Sequence, residues 1–128
     1  MLAELTILPL RGSSHLSDDL AEVLKLIDAS GLRYQLTPSG TCIEGDWEEV
    51  MALVRKCHER ALALAPHVFT TIRIEDEKGE KNKLERNVEA VEQKVGRRLS
   101  SSTRGLAESA LAVQAAETIG APGSKVTM

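Results

Sequence analysis

The stretch RYQLTPSGTCIEGDWEEV, residues 33–50, combines side chains that could hold a flat, nitrogen-rich molecule. It contains an aromatic ring, several hydroxyl groups and a carboxylate, which are provided by Tyr34, Thr37, Ser39, Thr41 and Glu44. An aromatic face and a carboxylate attract cations, and hydroxyl groups both donate and accept hydrogen bonds. The residue types therefore predict a site for an amine-bearing or cationic heterocycle. The alternative interpretation is that the hydroxyl groups only build a turn, that the ring fills the core and that the carboxylate faces solvent.

The remaining reactive side chains match no catalytic or metal-binding pattern. The histidines are not spaced as zinc ligands, and the serines near the loop RGSSHLS lack the G-x-S-x-G surroundings of a hydrolase nucleophile. These residues are His15, His58, His67, Ser13, Ser14 and Ser17. Cys42 and Cys57 have no CxxC partner and are expected to be buried thiols. The loop could receive an anion but lacks P-loop spacing. We therefore expect no enzyme, no catalytic residue, no metal and no cofactor.

Composition and charge indicate an ordinary globular protein. The 128 residues suffice for one domain, and 42% of them are hydrophobic and 27% charged. A net charge of −3 offers no basic surface for nucleic acid. No apolar run reaches the roughly 18–20 residues of a membrane span, and the start MLAELTILPL lacks the features of a secretion signal. We expect a cytoplasmic protein that binds neither nucleic acid nor membrane.

Four segments alternate apolar and polar residues as β-strands do. They span residues 2–9, 32–37, 41–45 and 67–75. Pro38 and Gly40 predict a tight turn between the second and third strands, which would pair as a hairpin.

Three segments have the periodicity of amphipathic helices. The first follows Ser17, which is expected to be its N-cap, and ends at Gly31. The second follows the N-cap Asp46, and Trp47 is expected to pack at its start. The third ends at Gly96, and its apolar residues are Leu84, Val88, Val91 and Val95.

The element order predicts a ferredoxin-like α+β sandwich. Strands and helices alternate as β-α-β-β-α-β plus a helix, the split βαβ pattern with a four-stranded antiparallel sheet and two helices on one face. The other face would remain uncovered and would carry Glu4, Thr6, Leu8, Phe69, Thr71, Arg73, Arg33 and Gln35. Such a mixed face typically pairs with the same face of a second subunit, so we expect a homodimer or homotetramer.

The C-terminal part differs from the rest of the chain. Residues 1–96 are predicted to form one domain, and residues 97–128 a partly helical extension. In the run LAESALAVQAAETIG, helical spacing relates Leu106, Ala110, Val113 and, approximately, Ile119. We expect this extension to dock on a subunit, with a free tail as the alternative.

Several of these segments resemble a known family. GLRYQLTPSGTCIEGDWEEVM, AELTILPL, LAEVLKLIDASG, KCHE and VFTTIRIEDE are similar to segments of the small ferredoxin-like thiamine-binding proteins of bacteria and archaea, long described as a domain of unknown function. The resemblance covers residues 2–96. Its most specific part is the pattern Y-x-x-x-P-x-x-T-x-x-E-G, which runs from Tyr34 to Gly45.

The resemblance implies a non-enzymatic protein that binds thiamine or its hydroxymethylpyrimidine portion and assembles through its sheets. The positions it implies for ligand binding are Tyr34, Thr37, Thr41 and Glu44, with Thr6 and Thr71 on neighbouring strands as weaker candidates. Threonines and a carboxylate can pair with an aminopyrimidine, and an acidic or aromatic face can hold the thiazolium cation. The alternative is a structural or protein-interaction module that oligomerises through its open sheet face without a small-molecule ligand.

Overall fold

A computed structural model describes residues 1–10 and 16–101 of the chain. The elements are β1 (Leu2–Leu10), α1 (Leu16–Ala29), β2 (Arg33–Thr37), β3 (Gly40–Glu44), α2 (Trp47–Leu64), β4 (His67–Glu75) and α3 (Lys83–Val95). The strand order is β2-β3-β1-β4, with every neighbouring pair antiparallel. This is the split βαβ arrangement, so the predicted ferredoxin-like α+β fold is confirmed. The helix expected around residues 106–119 lies outside the described residues.

The strand register divides the side chains between two faces of the sheet. Ala3 lies opposite both Ile43 and Ile74, and Ile43 lies opposite Tyr34. Because consecutive strand residues point to opposite sides, the odd-numbered residues of β1 and β3 share one face with the even-numbered residues of β2 and β4. Helices α1 and α2 pack on this side, which we call the covered face. The opposite side is the open face.

The hydrophobic core lies between the covered face and these two helices. Its sheet residues include Ala3, Leu5 and Ile43, each at most 3% exposed. The helices contribute Val23, Ile27, Val50, Leu53, Val54, Cys57 and Ala61. Burying a large aliphatic side chain stabilises the fold by roughly 1.5–3 kcal/mol. Burial also raises the pKa of the Cys57 thiol to about 11, which keeps it protonated near neutral pH.

The predicted ends of the helices are largely confirmed. Asp46 is the N-cap of α2, and its backbone N–H donates to Oε1 of Glu49 at 3.3 Å, as in a capping box. Gly31 follows α1 and Gly96 follows α3, with φ angles of 79° and 87° in the left-handed region that glycine adopts readily.

Two expectations about helix starts are wrong. Helix α1 begins at Leu16, so Ser17 lies inside the first turn and cannot be the N-cap. Trp47 is the first residue of α2 but is 53% exposed, because the buried side of this helix begins only at Val50. No helix within residues 1–10 and 16–101 is long and apolar enough to cross a membrane.

Helix α3 lies on the open face, at the end where β3 and β4 terminate. The backbone N–H of Leu84 donates to Oε2 of Glu44 at 3.3 Å, and the side chain of Asn87 donates to Oε1 of Glu75 at 2.9 Å. Glu44 and Glu75 both belong to the open face, since each lies opposite Leu2. The expectation that this face is left uncovered is therefore wrong at this end.

Candidate functional site

The six predicted ligand residues are divided between the two faces of the sheet. Tyr34 lies opposite Ile43 and Thr41 opposite Leu5, so both belong to the covered face. The open face carries the other four, Thr6, Thr37, Glu44 and Thr71. Because the sheet separates the two groups, one small ligand cannot contact all six side chains.

Tyr34 and Thr41 have structural surroundings on the covered face. The Tyr34 hydroxyl donates to Oδ1 of Asp28 in α1 at 2.7 Å, and this hydrogen bond raises the pKa of Tyr34. Thr41 is only 3% exposed. Tyr34 therefore links β2 to α1, whereas Thr41 belongs to the buried interior.

Thr37 holds the hairpin turn together. Its hydroxyl donates to the carbonyl oxygen of Gly40 at 2.9 Å and accepts from the backbone N–H groups of Ser39 and Gly40 at 3.2 and 3.1 Å. A hydroxyl has one proton and two acceptor lone pairs, so these bonds use its full capacity. A Cβ at Gly40 would lie 2.9 Å from both Oγ1 of Thr6 and the carbonyl oxygen of Leu5, which explains the glycine.

Glu44 joins α3 to the sheet. Its side chain is only 11% exposed, and it accepts from Nη1 of Arg33 at 3.4 Å as well as from the N–H of Leu84. A carboxylate at the start of a helix is favoured by the helix dipole and satisfies a free N–H group. This carboxylate therefore already has an anchoring role.

A cleft of about 500 Å³ opens on the open face beside these residues. Its lining consists of Leu2, Glu4, Cys42, Arg73, Ile74, Glu75 and Asp76. Glu4 lies opposite both Cys42 and Arg73, so these three form one row across the sheet. Thr6 and Thr71 lie opposite each other in the next row. The volume is within the range of about 300–1,000 Å³ that small-molecule pockets occupy.

Glu4 is a carboxylate of this cleft that an incoming amine or cation could engage. Its side chain is 39% exposed, and Oε1 lies 3.7 Å from Nη2 of Arg73, which is longer than a hydrogen bond. The Arg73 side chain is 82% exposed, so solvent weakens this ion pair. Glu75 is more engaged, because it accepts from Asn87 and lies 3.6 Å from Nζ of Lys83.

Glu4, Cys42 and Arg73 were not among the ligand residues that the sequence predicted. Glu4 and Arg73 were expected on the open face, and strand alternation places Cys42 beside them, since Cys42 and Glu44 have the same parity. Burial, reinforced by the nearby Glu4 carboxylate, raises the pKa of Cys42 and keeps its thiol neutral. Aligning the four strands in their predicted register would have placed these three side chains next to one another on the open face.

The other end of the open face is apolar. Leu8, Leu10 and Phe69 are 42%, 37% and 55% exposed, although all three are large hydrophobic side chains. Leu8 lies opposite Phe69, and the rings of His67 and Phe69 have centroids 5.0 Å apart. We call these four residues the apolar patch. A contiguous exposed group of this kind is typical of an interaction surface.

The other histidine and acidic side chains give no metal site among the described residues. The Nδ1 atom of His58 lies 2.7 Å from Oγ1 of Thr70, and this contact links α2 to β4. Within residues 1–10 and 16–101, no group of three or more His, Cys, Asp or Glu side chains could hold a metal ion. Most of the loop RGSSHLS, residues 11–15, lies outside the described residues.

Comparison with known proteins identifies the family. Residues 3–92 match the family model described as thiamine-binding protein. The UPF0045 protein YqgV of Bacillus subtilis is 35% identical over 96 residues, which cover 70% of this chain and 92% of that protein.

Solved structures share the fold. A hypothetical protein of Methanocaldococcus jannaschii has a TM-score of 0.66 at 24% identity, over 70% of this chain and 93% of its own. A Thermotoga maritima protein, provisionally described as a thiamine biosynthesis or salvage protein, has a TM-score of 0.64 at 21% identity, over 70% and 96% of the two chains. The fold and the match over residues 3–92 agree, and the chain belongs to the thiamine-binding protein family.

Proposed function

We propose that this protein binds thiamine, or its hydroxymethylpyrimidine portion, in the cleft on the open face of its sheet. The observation that carries the proposal is the family match over residues 3–92, which contain every residue of the cleft except Leu2. The family is named for binding, and the proposed role is binding without catalysis. The cytoplasmic location expected from the sequence belongs to the same proposal.

The chemistry of the cleft suits this ligand class. An aminopyrimidine presents an amino donor beside ring nitrogen acceptors. The Glu4 carboxylate in the cleft and the Thr6 and Thr71 hydroxyls in the adjacent row of the open face supply both kinds of partner. The thiazolium ring carries a positive charge, which a carboxylate stabilises where water is partly excluded. Arg73 would have to move away from Glu4, and its high exposure makes that movement inexpensive.

The six predicted ligand residues have two different roles in this proposal. Thr6 and Thr71 contact the ligand directly, and Glu44 sets the position of α3 beside the cleft. Thr37 fixes the turn next to Thr6, whose Oγ1 donates to the Ser39 carbonyl oxygen at 3.3 Å. Tyr34 and Thr41 support the hairpin from the covered face and do not touch the ligand. This arrangement keeps the predicted residues but reduces the number in direct contact.

Isothermal titration calorimetry tests the proposal with thiamine, thiamine phosphates and hydroxymethylpyrimidine as ligands. We expect saturable binding to the unmodified chain and a loss of about tenfold or more in Glu4→Gln, since a charge-assisted hydrogen bond contributes about 1.5–3 kcal/mol. Glu59→Gln is the matched control, because it removes an exposed carboxylate from α2 on the other side of the molecule. Absence of heat at millimolar concentrations of all these ligands would exclude the proposed function.

The apolar patch favours a second function, assembly into a homodimer or homotetramer. A two-fold contact would bury Leu8, Leu10 and Phe69 twice with one set of residues. Light scattering should detect a loss of oligomer in Phe69→Asp, while Leu62→Asp, which changes a similarly exposed residue of α2, should have no effect. Equal molar masses for Phe69→Asp and the unmodified chain would rule out assembly through this patch. If assembly is found without ligand binding, the protein is an interaction module.

A further inference from the structure

The apolar side of α3 is covered only at its beginning. Leu84 in the first turn is 6% exposed, whereas Val91 and Val95 are 54% and 51% exposed. Residues 84, 88, 91 and 95 follow helical spacing and form one continuous stripe. Among the described residues, the sheet contacts the start of this stripe, where the Leu84 N–H group donates to Glu44, and the second half of the stripe is exposed.

The chain that follows α3 turns back toward this stripe. Gly96 adopts a left-handed conformation, and the backbone N–H of Leu99 donates to Oε2 of Glu92 at 2.6 Å. Leu99, Ser100 and Ser101 then line a groove of about 410 Å³ together with Gln35 of β2 and with Asn87, Val88 and Val91 of α3. The last described residues therefore already lie along the wall of a groove whose floor is partly apolar.

We propose that the segment following Ser101 continues along this groove and covers the valine stripe of α3 within the same chain. The family match ends at residue 92, so this contact is a feature of the extension and does not depend on the proposed ligand. Residues 102–128 provide 27 residues for it. From Leu106 to Ala116 the only charged residue is Glu108, and Leu106, Ala110 and Val113 recur at helical spacing.

Distance and size agree with such a contact. The five residues from Ser101 to Leu106 can span up to about 17 Å, whereas Val88 and Val95 are separated by only about 10 Å along a helix axis. Alanine-rich segments allow two helices to approach closely, and the valines of α3 are short as well. The segment would bury the exposed halves of Val91 and Val95 and hold α3 against the Glu44 end of the sheet.

Hydrogen exchange measured by mass spectrometry on the full chain tests this contact. In Leu106→Asp/Val113→Asp, the amides of residues 91–99 should exchange about tenfold faster, because an uncovered helix end opens more often. Ala112→Asp/Ala115→Asp adds the same charge on the opposite side of the predicted helix and should change nothing. Unaltered exchange in the first variant would overturn the proposal. So would protection that rises with protein concentration, since a second copy would then be the occupant.

The second test alters α3 and measures how accessible the C-terminal segment becomes to protease. Val95→Asp should release the segment, so that trypsin cleaves after Arg104 several-fold faster than in the unmodified chain. Gln93→Asp, on the outer side of α3, is the control and should leave cleavage unchanged. Circular dichroism verifies that both variants keep the fold. Equal cleavage rates in the Val95→Asp variant and the unmodified chain would also overturn the proposal.

Discussion

The two faces of the same four strands have opposite characters. On the covered face, Ala3 and Ile43 are completely buried against α1 and α2. On the open face, their neighbours Glu4 and Cys42 line a cleft, and the row continues to Arg73. One step along a strand thus separates a residue that stabilises the fold from one that is available for binding. The covered face therefore stabilises the fold, and the open face is where the proposed ligand would bind.

This contrast also explains why the hairpin residues do not form a single site. Tyr34, Thr37, Thr41 and Glu44 are close in sequence and are chemically suited to one ligand. Side chains alternate along a strand, so Tyr34 and Thr37 must point in opposite directions, as must Thr41 and Glu44. Their closeness in sequence suggested a single binding group, whereas strand alternation divides them into one group on each face of the sheet.

The largest expected effect is a difference in stability between substitutions at two adjacent residues on opposite faces of the sheet. Ile43→Ala should lower the free energy of unfolding by about 2–4 kcal/mol, because it leaves a cavity in a fully buried position. Cys42→Ala, one residue earlier on the open face, should cost less than about 1 kcal/mol. Urea denaturation of both variants gives the two values. Similar losses would mean that both faces contribute equally to the core.

An intermediate effect should distinguish two carboxylates that contact the same arginine. Glu44→Ala should destabilise α3 locally by about 1–2 kcal/mol, since it removes a buried partner of the Leu84 N–H group. Glu85→Ala removes the 46% exposed partner of Arg33 and should cost less than about 0.5 kcal/mol. Hydrogen exchange at the amides of residues 84–88 measures the loss of local stability in both variants. If exchange is faster in Glu85→Ala, Glu44 is not the anchor of α3.

The smallest effect concerns Tyr34 and depends on pH. Tyr34→Phe should cost about 0.5–1 kcal/mol at pH 8, because it removes the bond to Asp28. Since this bond raises the pKa of Tyr34 in the folded protein, its contribution is complete below the unfolded pKa of about 10 and is lost as the pH rises through the folded value. Urea denaturation at both pH values should show a smaller difference in the free energy of unfolding between Tyr34→Phe and the unmodified chain at pH 11 than at pH 8. A constant difference would contradict this role.

Most of the fold could be predicted from the sequence because its determinants are local. Period-two alternation, the Asp46 cap and the glycines after α1 and α3 each act within a few residues, and all agree with the structure. The docking of α3 could not be predicted, because it depends on the contact between Leu84 and Glu44, which are 40 residues apart. The amphipathic pattern of α3 indicated a buried side but not the surface that buries it. The cleft residue Cys42 was missed because its type suggested only a core role.

The assignment of function to the open face is tested most directly by mapping where the ligand binds. In a nuclear magnetic resonance titration with thiamine and with hydroxymethylpyrimidine, we expect the largest amide shifts at Glu4, Thr6, Cys42 and Thr71. Residues of α1 around Asp28, on the other side of the sheet, should shift little. Shifts concentrated at Asp28, Tyr34 and Thr41, with none at the cleft, would contradict the account.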